Sequence, residues 1–235
     1  MQIKDSVALV TGANRGLGKS FVQALLAAGA AKVYAAARDP STITPADRVV
    51  AIKLDVTNAD DILAAKQYSD VNLLINNAGI SLRSPSMLDA SILDAFRKEA
   101  ETNVLGPLAL SQAFAPVLAS NGGGAILNIL SALSWISIAG VESYSATKSA
   151  AWALTNGLRH SLAGQGTQVV ALHVGFMDTD MTRGLPVPKA DPNEVARSAL
   201  ASIEGGSVEI LADITSAQIK QGLSAGVYLK PLPQG

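Results

Sequence analysis

The chain has 235 residues and a formal net charge of −1, and about half of its residues are apolar. A near-neutral chain of this kind does not point to a nucleic-acid or membrane-surface partner. The absence of cysteine excludes a disulfide framework, a thiolate nucleophile and a zinc–thiolate site. Two histidines, His160 and His173, are too few for a histidine-rich metal site, so we expect no metal.

The length suits one α/β domain with a substantial core, and we expect residues 1–235 to form that single domain. The first predicted strand begins by Val7, which leaves no room for a signal peptide. Because no apolar run is long enough to span a bilayer, we expect a cytoplasmic protein.

Strand-like and helix-like segments alternate along the chain. Short apolar segments bounded by Gly, Asn, Asp or Pro predict seven strands: Val7–Val10, Lys32–Ala37, Val49–Leu54, Asn72–Asn76, Ala125–Leu130, Val169–Val174 and Val208–Leu211. Helical periodicity predicts helices over roughly Lys19–Ala28, Asp60–Tyr68, Ala90–Ser120, Ser143–Ala163 and Asn193–Ile203. The tail Lys230–Gly235 is expected to be mobile.

The strands are nearly continuous in apolar residues, which is typical of strands that are buried on both faces of a parallel sheet. Right-handed crossover connections then give a doubly wound arrangement. The expected fold class is therefore α/β, a single Rossmann-like doubly wound parallel sheet of about seven strands with helices on both faces.

The first strand runs into a glycine-rich turn and then into a helix-periodic stretch. Gly12, Gly16 and Gly18 allow a tight turn, close approach of a pyrophosphate and close helix–strand packing. The helix that follows directs free N–H groups and its positive dipole end at the same place. A glycine motif alone could be only a tight β–α turn, but the strand–turn–helix setting favours dinucleotide binding.

Residues with binding or catalytic chemistry follow six of the predicted strands. They are Gly12, Arg38, Asp55, Asn77, Ser131 and Gly175. Ligands of doubly wound sheets bind at the carboxyl ends of the strands, so these residues are expected to lie around one site.

Tyr144 and Lys148 are four residues apart in YSATK and share one face of a predicted helix. A nearby ammonium favours phenolate, so we expect Lys148 to lower the pKa of the Tyr144 phenol toward neutrality. Ser131, thirteen residues earlier, is expected to hold a substrate oxygen against the phenol. Tyr and Lys at this spacing are common on exposed helices, and only the surrounding motifs favour the catalytic interpretation.

With these residues established, the chain resembles the short-chain dehydrogenase/reductase family, in its compact single-domain branch. The matching motifs are TGANRGLG at 11–18, LDVTN at 54–58, NNAG at 76–79, NVLG at 103–106, Ser131, YSATK at 144–148 and VGFMDTDM at 174–181. The resemblance implies NAD(P)-dependent oxidation or reduction of alcohol and carbonyl groups.

The resemblance also implies a role for each catalytic residue. Tyr144 would be the general acid in reduction and the base in the reverse direction, and Lys148 would lower its pKa and bind the nicotinamide ribose. Ser131 would donate a hydrogen bond to the substrate oxygen, where negative charge develops. Asn103 would hold a water that links Lys148 to solvent.

A larger set of residues is expected to bind the cofactor, among them Asp55 and Val56 at the adenine. This set is Gly12, Asn14, Arg15, Gly16, Leu17, Gly18, Arg38, Asp55, Val56, Asn77, Ala78, Gly79, Tyr144, Lys148, Gly175, Met177 and Thr179.

The end of the second strand predicts NADP(H) rather than NAD(H). An NAD site places an acidic residue there, whereas this chain has Ala37 followed by Arg38. Arg38 and Arg15 could bind a 2′-phosphate through their guanidinium forks. Two alternatives stay open: Asp39 could take the NAD role, or both arginines could be solvated surface charges.

The predicted substrate region is mostly apolar, which favours an apolar or aromatic ketone or aldehyde over a sugar or a thioester. Its expected lining is Leu82, Leu133, Trp135, Phe176 and Met181, with Ile136, Ile138 and Met177 nearby; Ile136 and Ile138 could equally be core residues. The loop near 182–191 is short, which predicts an open pocket.

Two departures from the family pattern stand near the end of the chain. The family's Pro-Gly after the sixth strand is Val174-Gly175 here, and the last segment ends in an apparent helix rather than a strand with a glycine-rich tail. The second departure puts a tetramer in doubt and leaves a homodimer open.

An NADPH-dependent carbonyl reductase is the leading interpretation. A second interpretation is a non-catalytic NADP-binding sensor or scaffold. The presence of Ser131, Tyr144, Lys148 and Asn103 argues against it, because a protein that only binds the cofactor does not need these residues. An isomerase or dehydratase that uses the cofactor without net redox chemistry is a third, and relatives of that kind generally carry a larger substrate domain.

Overall fold

Seven parallel strands form one sheet in the computed structural model, which describes residues 1–229. They are β1 (Val7–Thr11), β2 (Lys32–Ala37), β3 (Val49–Lys53), β4 (Leu73–Asn76), β5 (Gly124–Ile129), β6 (Thr167–His173) and β7 (Glu209–Leu211). Their order is β3-β2-β1-β4-β5-β6-β7, so the direction of winding reverses between β1 and β4. The predicted doubly wound parallel sheet is confirmed.

Helices cover both faces of this sheet. They are α1 (Gly16–Ala27), α2 (Ala59–Ala65), α3 (Ile92–Ala100), α4 (Gly106–Ser120), α5 (Glu142–Leu162), α6 (Pro192–Glu204) and α7 (Ile214–Gly222). None of the helices within residues 1–229 is long and apolar enough to cross a membrane.

The core has two main parts because side chains alternate between the faces of each strand. Ala8 and Val10 of β1 pack with Phe21 of α1 on one face. Leu9, between them, packs with Phe114 of α4 on the other face. Burial of apolar strands on both sides therefore fixes the carboxyl ends of β1, β4 and β5 next to one another.

The predicted helix over 90–120 is interrupted by a π-helical turn, Glu101–Leu105, between α3 and α4. Pro107 has no N–H to donate to the carbonyl one turn back, and the Gly106 N–H bonds the carbonyl of Glu101. A Cβ at Gly106 would lie 2.8 Å from the Val56 carbonyl oxygen, so glycine permits the close packing of this turn on the loop after β3.

The loop near 182–191 is tied back to the segment after β6. The N–H of Ala190 donates to the carbonyl of Phe176 at 2.9 Å, and the N–H of Asp178 donates to the carbonyl of Ala190 at 3.0 Å. The apparent C-terminal helix is present as α7. The tail Lys230–Gly235 lies outside the described residues.

Candidate active site

The glycine turn after β1 has the backbone that the motif predicts. Gly12 and Gly16 adopt positive φ values of 62° and 51°. A Cβ at Gly18 would lie 2.1 Å from the carbonyl oxygen of Gly12, so only glycine lets α1 pack this closely on the turn. Leu17, between them, is buried in the core and holds the start of α1 against the sheet.

The N-terminus of α1 is suited to an anion. No side chain within the described part of the chain caps it, and its first turn has no acidic residue. By contrast, α2, α6 and α7 are capped by Asn58, Asp191 and Asp213. The free N–H groups and the helix dipole at α1 therefore fit a pyrophosphate group.

Asn77 fastens the loop after β4 to the glycine turn. Its side-chain amide donates to the carbonyls of Thr11 at 2.8 Å and Gly12 at 3.2 Å. The N–H groups of Asn77 and Ala78 both donate to the Thr11 hydroxyl, at 2.9 Å and 3.0 Å. The NNAG motif thus fixes the relative position of two loops at the edge where the winding reverses.

At the end of β2 the two candidates for the ribose site have different surroundings. Arg38 is exposed, whereas the carboxylate of Asp39 accepts hydrogen bonds from the Ser41 N–H at 3.0 Å and the Ser41 hydroxyl at 2.7 Å. These bonds hold the pKa of Asp39 below its usual value. One oxygen of the Asp39 carboxylate, Oδ1, is therefore bonded within its own turn.

Arg15 and Asn14 bring the glycine turn to this corner. The amide of Asn14 donates to the Thr42 hydroxyl at 3.1 Å, in the turn that Asp39 begins. Arg15 is 70% exposed and lies 3.5 Å from the carboxylate of Asp180, so this ion pair is weak. Its guanidinium keeps donors available to a second anion.

The loop after β3 is ordered by Asp55, which accepts hydrogen bonds from the Thr57 N–H at 2.9 Å and the Thr57 hydroxyl at 2.8 Å. Val56 is buried against Gly106 of α4. Asp55 and Val56, the two residues expected to contact the adenine, therefore lie beside the end of β2.

Lys148 lies at the inner face of α5, beside the end of β5. Its ammonium donates to the carbonyl of Ile129 at 2.7 Å and lies 5.5 Å from the centre of the Tyr144 ring. The residue is buried, and this burial lowers its pKa to about 8. Tyr144 and Lys148 therefore share the same side of the helix.

The expected lowering of the Tyr144 pKa is wrong for the protein chain by itself. Burial of the phenol raises its pKa well above the usual value, the hydroxyl of Ser131 lowers it in part, and the charge of Glu99 raises it further. Loss of hydration of the phenolate is the largest of these effects, and burial also lowers the pKa of Lys148. Near neutral pH the phenol keeps its proton.

Ser131 ends the extension of β5 and starts a 3-10 turn over Ala132–Ser134. Its hydroxyl accepts a hydrogen bond from the Leu133 N–H at 3.1 Å and lies 3.4 Å from the carbonyl of Val174. The residue is buried, and its hydroxyl interacts with the Tyr144 phenol. Ser131 and Tyr144 are therefore brought together from different segments.

Asn103 lies in the π-helical turn, where its amide oxygen and both of its amide N–H groups are hydrogen-bonded. The oxygen accepts from the Ile80 N–H at 2.9 Å, and the nitrogen donates to the Ile80 carbonyl at 2.8 Å and to the Thr147 hydroxyl at 3.1 Å. Asn103 thereby joins the loop after β4 to α5. Gly79 lies between Asn103 and Lys148, since a Cβ there would lie 3.3 Å from the asparagine oxygen and 3.8 Å from the ammonium.

A small cavity of about 10 Å³, lined mostly by apolar residues and by a few polar ones, lies beside Asn103 and Lys148. Asn76 and Asn128 also line it, and the side-chain oxygen of Asn76 is buried with no hydrogen-bond partner among the described residues. This volume is at the lower limit for a cavity that holds one water molecule. The cavity gives the expected relay water a place between polar groups.

The segment after β6 is held by a residue that the motifs did not indicate. The N–H of Gly175 donates to the carboxylate of Asp213 at 2.6 Å, and the same carboxylate caps α7 through the Ser216 N–H at 2.7 Å. The spacing of Asp213 and Ser216 is a capping-box pattern that could have marked it. Thr179 and Met177 follow Gly175, and Thr179 lies against Gly16 of the glycine turn.

The predicted substrate lining divides into two groups. Leu82, Leu133 and Phe176 are half-buried, and Met181 is 51% exposed. Trp135 instead packs in a core cluster with Ile136 and Ile219 of α7, which corrects its placement in the pocket. The N–H of Leu82 donates to the buried carboxylate of Glu99 at 2.6 Å, a second contact that the sequence did not indicate.

Comparison with known proteins agrees with this geometry. The family described as short chain dehydrogenase matches residues 6–189. A short-chain dehydrogenase from Burkholderia cenocepacia, solved in complex with NADP, is 41% identical, with a TM-score of 0.91 over 96% of this chain and 95% of that one.

Two curated relatives have assigned activities. The NADP-dependent 3-hydroxy acid dehydrogenase of Schizosaccharomyces pombe is 31% identical over 188 residues, which cover 74% of this chain and 72% of that protein. The 3-oxoacyl-(acyl-carrier-protein) reductase FabG of Vibrio cholerae is 31% identical over 228 residues, which cover 92% and 89%. The family match covers more than half of the chain, and the chain therefore belongs to the short-chain dehydrogenases, a family of oxidoreductases.

Proposed function

We propose that the protein reduces a ketone or aldehyde to an alcohol with NADPH, reversibly, and that Tyr144 donates the proton. The observation that carries this proposal is the meeting of Ser131 and Tyr144, with the Lys148 ammonium 5.5 Å from the phenol ring. Reduction of a carbonyl needs a proton donor and a group that stabilises negative charge on the oxygen. These residues supply both.

The raised pKa of Tyr144 favours the acid role. A phenol that stays protonated near neutral pH is ready to give its proton to a carbonyl oxygen as negative charge develops there. Once the proton has left, the ammonium of Lys148 stabilises the phenolate. The attraction exists only after proton transfer, so it stabilises the transition state more than the ground state.

Ser131 orients the substrate oxygen. Its hydroxyl accepts from the Leu133 N–H at 3.1 Å and donates to the Val174 carbonyl over a long 3.4 Å, a contact that a substrate carbonyl oxygen beside Tyr144 would replace. Asn103 and the small cavity next to Lys148 provide the place for a water that returns a proton from solvent.

NADPH, when bound, supplies the hydride. The glycine turn and the N-terminus of α1 would hold its pyrophosphate, and Gly175, Met177 and Thr179 would hold the nicotinamide end. Arg38 and Arg15 would bind the 2′-phosphate through their guanidinium groups, while Oδ1 of Asp39 is bonded to Ser41. The NADP complex of the Burkholderia relative and the NADP dependence of the Schizosaccharomyces relative support this choice.

An apolar or aromatic carbonyl compound is the proposed substrate. Leu82, Leu133 and Phe176 present half-buried apolar side chains near the ends of β4, β5 and β6. The names of the two curated relatives refer to a hydroxy acid and an oxoacyl group, which support an alcohol–carbonyl pair as the reacting group but not the apolar character of the substrate.

The test is NADPH consumption, followed by absorbance, against a panel of aliphatic and aromatic ketones and aldehydes, with NADH in parallel. The proposal predicts turnover of apolar members with a preference for NADPH. Tight NADPH binding with no turnover of any member would refute it and would favour a non-catalytic binding protein.

A further inference from the structure

His173, the last residue of β6, is fully buried and contacts the backbone of Ser131. Its Nδ1 lies 3.1 Å from the Ser131 carbonyl oxygen. A carbonyl oxygen can only accept a hydrogen bond, so Nδ1 must carry the proton and Nε2 must be bare. The N–H of the next residue, Ala132, donates to the Val174 carbonyl at 3.0 Å. The peptide that carries Ser131 is therefore held from both sides by the end of β6.

The imidazole of His173 is part of a stack that ends at α7. It lies parallel to Trp135, with ring centres 3.9 Å apart and planes at 18°. The ammonium of Lys220, on α7, lies 4.9 Å from the Trp135 ring and 5.6 Å from the Trp152 ring. Cation–π attraction to two aromatic rings fixes this lysine.

The bare Nε2 of His173 faces an ion pair. The carboxylate of Glu209 lies 3.8 Å from it and binds Lys220 at 2.9 Å. Nε2 has no hydrogen-bond partner among the described residues. Burial lowers the pKa of His173 to about 4; the Ser131 carbonyl and Glu209 act in the opposite direction, and Lys220 and Lys148 lower the pKa further. The ring is therefore neutral near neutral pH, and its proton stays on the side of Ser131.

We propose that His173 and Lys220 are positioning residues for Ser131. Lys220 holds Trp135, Trp135 stacks on His173, and His173 in turn fixes the Ser131 peptide through the Nδ1 hydrogen bond. Glu209 and Lys220 lie beyond residues 6–189, the part that the family model matches, so this support comes from the chain's own C-terminal segment. The inference rests on the proposed function of Ser131.

The test compares His173→Asn, which keeps a hydrogen-bond donor, with His173→Leu, which has none. In both His and Asn the donating nitrogen is bonded to Cγ, so His173→Asn can keep the hydrogen bond to Ser131. His173→Leu fills similar space without a donor. We expect His173→Leu to lower kcat roughly tenfold to hundredfold, as for a misplaced catalytic group, with the KM for NADPH unchanged. His173→Asn should recover most of that loss.

A double-mutant cycle with Ser131→Ala separates positioning from general damage to the structure. If His173 acts through Ser131, His173→Leu causes no further loss of kcat in the Ser131→Ala background. The matched control is His160→Leu on the exposed side of α5, which should leave kcat at the wild-type value.

Lys220 provides a second route if His173→Leu does not fold. Lys220→Met keeps the apolar stem on Trp135 but removes the charge, and Lys220→Arg keeps both. We expect a severalfold loss of kcat in Lys220→Met and near-normal kcat in Lys220→Arg, with NADPH binding unchanged in both.

Several results would overturn the proposal. They are full activity in His173→Leu or Lys220→Met, equal losses in His173→Asn and His173→Leu, or an undiminished effect of His173→Leu in the Ser131→Ala background. Failure of the proposed function is distinguishable, because then the wild-type protein itself reduces no carbonyl compound while it still binds NADPH.

Discussion

The ammonium of Lys148 lies 5.5 Å from the centre of the Tyr144 ring, one turn along the same side of α5. Its hydrogen bond to the Ile129 carbonyl, at 2.7 Å, holds it at the end of β5. Burial raises the pKa of the phenol and lowers the pKa of the lysine to about 8. Tyr144 is thus a proton donor beside the Lys148 cation. Burial of that cation lowers the stability of the folded protein.

Burial of the Lys148 charge leads us to predict how the stability of the protein depends on pH. The folded protein releases the Lys148 proton near pH 8, whereas the unfolded chain keeps it up to about 10.5. Since the unfolded state binds more protons between these values, the burial cost of the charge is present below about pH 8 and is relieved as the pH rises toward 10.5. Lys148→Met should therefore be more stable than the wild type near neutral pH, by roughly 1–3 kcal/mol, and the difference should shrink at alkaline pH.

Chemical denaturation at a series of pH values measures this difference, with the exposed Lys98→Met on α3 as the control. A stability gain in Lys148→Met that does not change with pH would contradict the explanation by buried charge.

Glu99 should shift the pH dependence of alcohol oxidation. Burial is the main cause of the raised pKa of Tyr144, and the charge of Glu99 raises it further. Oxidation needs the phenolate as base, so the rate should rise with pH as the phenol ionises. Glu99→Gln removes the charge but keeps an oxygen that can accept from the Leu82 N–H. The rise in rate should move to lower pH in this variant. The exposed Glu101→Gln should leave the profile in place, and an identical profile in Glu99→Gln would exclude this role.

Arg38 should determine cofactor preference. Arg38→Asp removes a guanidinium from the 2′-phosphate and places a carboxylate where an NAD site binds the ribose hydroxyl. We expect the KM for NADPH to rise at least tenfold, on the scale of about 1.4 kcal/mol per tenfold change, and the KM for NADH to fall. Lys4→Asp, an exposed charge change before β1, serves as the control. An unchanged ratio of the two KM values would refute the phosphate contact.

Gly18 should tolerate no side chain. A Cβ there would lie 2.1 Å from the Gly12 carbonyl oxygen and 2.6 Å from the Asn77 amide, so Gly18→Ala must displace the turn. We expect a loss of roughly 1–3 kcal/mol in the free energy of unfolding, together with weaker NADPH binding. Gly157→Ala, in α5, meets no atom within 4 Å and should gain up to about 1 kcal/mol. Urea unfolding measures the free energy of unfolding of both variants. Equal values for Gly18→Ala and Gly157→Ala would contradict the close contact at Gly18.

Local patterns in the sequence predict much of this protein. Strands such as Lys32–Ala37, the turn at Gly12–Gly18 and the shared helix side of Tyr144 and Lys148 depend on short-range periodicity and backbone freedom, which are encoded within a few residues.

Features that depend on contacts between distant segments could not be predicted in this way. The π-helical turn around Asn103 requires Gly106 to pack on Val56, and the raised pKa of Tyr144 follows from burial by several elements. Asp213 and His173 acquire their contacts with Gly175 and Ser131 only when β6, β7 and α7 assemble.

The most direct test of the central claim is a single-turnover measurement of carbonyl reduction by Tyr144→Phe with NADPH already bound. Phenylalanine keeps the ring and removes only the hydroxyl, so NADPH affinity should stay near the wild-type value while the rate of reduction falls by about a thousandfold, within the range for loss of a general acid. Reduction at close to the wild-type rate with the hydroxyl absent would show that Tyr144 is not the proton donor.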